Sequence, residues 1–100
     1  MDMKTYAYDR LSGYRSAVEA RPELNRYLAA VVRRQAAHPE RSESIAYDLA
    51  GLLSLPILVG LPDDHPYVEI LTMAGQLELP PAHRDPDASW DRLAALVAKL

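Results

Sequence analysis

Eight prolines divide the chain into five stretches, and each stretch repeats its apolar residues at the period of an α-helix. Proline fixes φ and lacks an amide proton, so it opens helices or ends them and is rarely carried through one. The spacing therefore predicts short helices. Short helices gain most of their stability by packing apolar faces against one another. The expected fold is all-α, a compact bundle of four to five short helices.

The first stretch runs from about Met3 to Ala20. At roughly 100° per residue, Met3, Tyr6, Ala7, Leu11, Tyr14, Ala17 and Val18 share one side. Thr5, Asp9, Ser12, Ser16 and Glu19 share the other. Pro22 is expected to open a second helix, with Leu24, Tyr27, Leu28, Val31 and Val32 as its inner face. His38-Pro39 ends it, because the residue before a proline is pushed out of the helical region.

The third stretch, about 42–55, is the expected central helix. Ser42 or Ser44 serves as its cap. Ile45, Leu49, Leu52 and Leu53 form its face, and Ala46, Ala50 and Ser54 lie beside them as a ridge of small residues. From Ile45 to Leu61 only Asp48 and Ser54 are strongly polar. A helix apolar nearly all round is a buried one. Pro56 ends or kinks it, and the run to Pro62 continues as an apolar connection. Leu55–Val59 is the one strand-like run, and its proline demotes it.

Asp64-His65-Pro66 opens a fourth helix, with Tyr67, Ile70, Leu71, Ala74 and Leu77 as its stripe. Pro80-Pro81 stops it. The link from Pro80 to Asp85 is the expected flexible loop. A fifth helix is expected from Asp85-Pro86-Asp87, where acids suit the positive end of a helix dipole. Trp90, Leu93, Ala94, Val97 and Leu100 would line its inner side.

At 100 residues, 49% of them hydrophobic, the chain reads as one domain spanning 1–100. It has no cysteine, which removes disulfides, thiol catalysis and cysteine-based zinc sites and suits a reducing cytoplasm. Asp9 and Arg10 interrupt any leader-like segment. No apolar run is long enough to span a bilayer. The net charge is −3, which argues against an anionic partner. The charge is uneven. Residues 1–50 hold 8 Lys/Arg against 7 Asp/Glu, net +1, and residues 51–100 hold 3 against 7, net −4.

Chemistry-bearing residues are scattered. Arg26, Arg33, Arg34 and Arg41 could contact phosphates, but a solvated helix face explains them as well. A helix-turn-helix built on the third stretch fails, because that stretch offers no Lys or Arg beyond Arg41 for base reading. His38, His65 and His83, with Asp63 and Asp64, match no metal-binding spacing, and capping or loop polarity accounts for them. Gly13, Gly51, Gly60 and Gly75 make no phosphate loop. Arg10, Gln35, Asp48 and Glu78 fall in or beside apolar stripes, so they either meet in a buried polar site or snorkel from the stripe edge. There are six tyrosines and no phenylalanine. Tyr8 and Tyr47 stand off the apolar stripes and are the candidates for a partner surface.

The expected function is a small, non-enzymatic helical interaction or regulatory module. It would associate with a protein partner, including itself as a homodimer, and use no cofactor or metal. The alternative from another class is a nucleic-acid-associated regulator using the four arginines. An enzyme built on the His and Asp loops is a third reading.

Overall fold

Capping residues, more than prolines, set where two of the helices begin. A computed structural model describes residues 3–100, with side chains from residue 7 onward. The apolar assignments of Met3 and Tyr6, and the polar one of Thr5, lie outside the described side chains. Helix α1 spans Met3–Leu11 and stops at Ser12-Gly13, short of the expected Ala20. Ser16 then adopts an extended backbone, and its hydroxyl accepts from the amide of Glu19 at 3.2 Å. Ser16 and Glu19 have the Ser-x-x-Glu spacing of a capping box. Helix α2, Ala17–Ala37, therefore begins five residues before the proline that was expected to open it, and Pro22 lies inside it.

That proline leaves the Val18 carbonyl without its helical donor. Val18 is 77% exposed, so water can supply one. The new start also changes the phase of the segment: Val18 was expected on an inner face and points outward. Leu24, Leu28 and Val31 are buried as expected, and Tyr27 and Val32 are half-buried.

A 3-10 turn at Pro39–Arg41 leads into α3, Ser42–Ala50, which ends earlier than expected. The chain continues as a 3-10 turn over Gly51–Ser54. The tighter turn shifts the face, so Leu52 is buried while Leu53, assigned to the same face, is exposed. Leu55, Ile57 and Leu58 are also buried, in successive hydrogen-bonded turns rather than a strand. Among the described residues there is no strand.

Helix α4, Pro66–Leu77, opens as expected. The Nδ1 of His65 accepts from the amide of Tyr67 at 3.2 Å, and Pro66 occupies the first turn. All five expected inner residues are buried. Helix α5, Trp90–Ala98, begins later than Asp85-Pro86-Asp87. The Asp85 carboxylate accepts from the amide of Asp87 at 2.9 Å, folding that segment into a turn. Ser89 is the cap, accepting from the amide of Arg92 at 3.1 Å. Leu93 is fully buried, but Leu100 stands exposed past the helix end.

One hydrophobic core takes residues from all five helices. The closest pairing is α3 with α4, so the expected centrality of the third helix is shared. A Cβ placed on Gly75 would stand 4.0 Å from that of Ala50, which shows how near these helices come at their small residues. Helix α2 packs on α1, α3 and α5. Tyr67 is buried in the core, and its hydroxyl donates to Asn25 Oδ1 of α2 at 2.6 Å, tying α4 to α2 across 42 positions of sequence.

The link after α4 is held down. Arg84 donates through Nε to the Leu79 carbonyl at 2.8 Å and through a terminal nitrogen to the Leu77 carbonyl at 3.1 Å. Gln76 accepts from the amide of Asp85 at 3.0 Å. The guanidinium thus serves carbonyls at the C-terminus of α4 that have no helical donor. The segment expected to be the most flexible is fastened at both ends of its 3-10 turn, Pro81–His83.

Candidate functional site

The side chains of α4 beside its core-facing stripe follow a second helical stripe, Val68, Glu69, Thr72, Met73 and Gln76. Those of α5 do the same with Arg92, Ala95, Leu96 and Lys99. Spacings of three and four residues put each set on one face of its helix. Between the two helices lies a groove of about 700 Å³. Asp63, just before α4, lines it, and Asp85, Asp87 and Ala88 line it from the link. Val68, Met73, Ala88, Ala95 and Leu96 supply an apolar surface. Met73, Ala88 and Leu96 also pack on the core, which fixes their position from below.

Charge in the groove is mixed. Glu69 stands on α4 with Asp63 before it, and Arg92 stands on α5 with Asp85 and Asp87 before it and Lys99 at its end. Arg92 also approaches Asp87 at 3.7 Å, with both side chains largely exposed. A pair so open to water is worth at most about 1 kcal/mol. Aliphatic groups and a thioether under a charged rim are what a protein surface needs from a docking site.

A second constellation binds α1 to α2. Glu23 accepts from Arg10 Nε at 2.5 Å and from the hydroxyl of Tyr14. The tyrosine proton and the guanidinium together hold the Glu23 carboxyl below the usual carboxylate range. The same hydrogen bond, helped by burial, pushes the Tyr14 hydroxyl up. Beside this cluster is a smaller pocket of about 220 Å³, lined by Ala7, Leu11, Arg26 and Tyr27 as well as Arg10 and Glu23. Two of its polar groups, Arg10 and Glu23, answer one another, so it reads as a clasp between the two helices.

The residues singled out from the sequence do not converge. Tyr47 is 57% exposed on α3, whereas Tyr8 is half-buried on α1 and packs on the core. Arg26 and Arg33 are exposed on α2, Arg34 is half-buried there, and Arg41 is exposed in the following 3-10 turn. His65 caps α4, His38 lies 3.4 Å from Glu40, and His83 ends the 3-10 turn of the link. Among the described residues no three His, Cys, Asp or Glu side chains are grouped to hold a metal. Arg10, Gln35, Asp48 and Glu78 do not meet in the core. Arg10 pairs with Glu23, Gln35 donates to Ser42 Oγ at 2.8 Å, and Glu78 ends α4. No polar or charged residue is buried among the described residues.

The groove itself is not among the sequence expectations. Its trace in the sequence is three apolar residues, Val68, Met73 and Leu96, that stand off the main stripes of α4 and α5. Comparison of the chain with known protein families, with characterised proteins and with solved structures finds no match in any of the three. No helix of the described residues is long and apolar enough to cross a membrane.

Proposed function

We propose that this protein is a small helical interaction module whose working surface is the α4–α5 groove. The observation that carries this reading is the pairing of an apolar floor with charged walls on two adjoining helices. Three of the floor residues, Met73, Ala88 and Leu96, are anchored on the core, so that part of the surface is formed before a partner arrives. A preformed surface loses less conformational freedom on binding. The module acts by binding, in association with a protein partner that includes a second copy of itself. The cysteine-free composition fits a reducing cytoplasm as its place of work.

The rival reading uses Arg26, Arg33, Arg34 and Arg41 on nucleic acid. One experiment addresses both. A photo-crosslinking amino acid is placed at Thr72, in the groove, or at Arg33, on the outer face of α2, and the protein is irradiated in the cells that make it. Adducts with polypeptide at Thr72 support the docking reading. Adducts with nucleic acid at Arg33, and none with protein at Thr72, replace it with the rival.

A further inference from the structure

We propose that the groove takes an amphipathic α-helix of another protein, one that carries basic side chains near both of its ends. The proposal rests on the docking reading above and adds the chemistry of the partner. Four carboxylates line the groove, Asp63, Glu69, Asp85 and Asp87, against two cations, Arg92 and Lys99. Gln76, near the end of α4, accepts from the amide of Asp85, and Asp87 lies 3.7 Å from Arg92. The start of α5 therefore adjoins the end of α4. Asp85 and Asp87 stand at that end of the groove, and Asp63 and Glu69 at the other. Lys99 lies about two turns beyond Arg92, away from the link. Acid thus outnumbers base at each end, and a partner basic at both ends is attracted along the whole groove.

The form of the occupant follows from the modes by which proteins take up a segment of a partner. Among the described residues there is no strand, so there is no sheet edge for an extended segment to join. Grooves for proline-rich segments are lined by aromatic rings, and no aromatic side chain of the described residues lines this one. Phosphorylated or acidic segments need clustered arginines, and here Arg92 already has Asp87 beside it. The groove instead offers two adjoining helices with an apolar floor that includes Val68, Met73 and Leu96. Side-chain ridges on two such helices receive the apolar stripe of a third.

The size of the groove sets the length of the helix and the strength of the contact. The 12 residues of α4, at about 1.5 Å each, give a groove about 18 Å long, or about three turns of a bound helix. Apolar residues at helical spacing sit on the floor, with Lys or Arg before and after them. One short helix covers less area than a stable interface needs, so the complex is transient. Its charged contacts are screened by salt.

The test is titration of the full, isotope-labelled chain with three synthetic peptides, followed by amide chemical shifts. The first peptide has Leu and Ala at helical spacing and Lys pairs at both ends. The second replaces every Lys by Glu, and the third places a proline at the centre of the first. The first should bind with shifts centred on Val68, Thr72, Ala95 and Leu96, and added salt should weaken it. The second should bind at least about tenfold more weakly, because like charges then face each other at both ends. The third should also bind more weakly, since proline breaks the helix. Asp63→Asn with Glu69→Gln should weaken binding of the first peptide several-fold. Both residues are exposed, so that variant should keep the far-ultraviolet dichroism of the parent. Equal binding of the Lys and Glu peptides overturns the inference, as does undiminished binding of the proline peptide or a first peptide that leaves the groove unshifted. Polypeptide adducts at Thr72 would in those cases keep the docking reading with a different partner, a second copy of this chain included. Without such adducts both readings fall.

Discussion

The two faces of α4 obey different rules. Toward the core it presents Tyr67, Ile70, Leu71, Ala74 and Leu77, none more than 3% exposed. Toward the groove it presents Val68, Glu69, Thr72, Met73 and Gln76, a mixture of charge, hydroxyl, amide and thioether. The first face is chosen by volume and water exclusion, so any shortening leaves a void. The second is bounded by solvent, so its chemistry can change at little cost to the fold. One helix of twelve residues thus divides a packed face from a groove face along its length.

The largest expected effect tests the inner face. Leu71→Ala should lower unfolding free energy by about 2–5 kcal/mol, and Leu49→Ala, its counterpart on α3, should do the same. Both leucines are at most 1% exposed. Denaturant melts are the measurement, and losses at the level of a surface substitution would abolish the distinction between the faces.

Tyr67 is the place where the inner face carries a polar tip. Tyr67→Phe keeps the ring and removes the hydrogen bond to Asn25. The expected loss is about 1 kcal/mol. Melts of Asn25→Ala and of the double variant complete the cycle, and strict additivity would show that the two groups are not coupled.

At the α1–α2 clasp the contrast takes a pH-dependent form. Glu23 is held below its ordinary value near 4.5 by Tyr14 first and Arg10 second. Its contribution to stability is present above that value and is lost as the pH falls through the lower folded one. Glu23→Gln should reduce stability at neutral pH and flatten the acid limb of the stability profile. Unchanged acid limbs in thermal melts would mean that the clasp does not hold α1.

The smallest effect belongs to the outer face of α4. Thr72→Ala and Glu69→Gln should each change stability by no more than about 0.5 kcal/mol. A loss comparable to that of Leu71→Ala would show that the groove wall is part of the core.

The inner face of α4 was legible in the sequence to the residue. Apolar spacing at 3.6, bounded by His65-Pro66 and Pro80-Pro81, leaves few other arrangements. The start of α2 was written there too, in Ser16 and Glu19, but the more conspicuous Pro22 masked it. A proline tolerated in the second turn is a tertiary outcome: Ala17, Ala20 and Leu24 are all buried, and that burial works against the proline penalty. The link from Pro80 to Asp85 reads as loose by composition, and only the fold brings Arg84 back onto the carbonyls of α4.

By itself the sequence determined the all-α class and most of the apolar stripes, that of α4 completely. These follow from interactions within a few residues, where periodicity, caps and prolines act. Only the tertiary structure decided which outward faces adjoin. Val68, Met73 and Leu96 are three stray apolar residues until α4 and α5 lie side by side. Glu69 and Lys99 are two surface charges until they stand on opposite walls of one groove. A groove is a relation between elements, and helical period carries no information about which elements become neighbours.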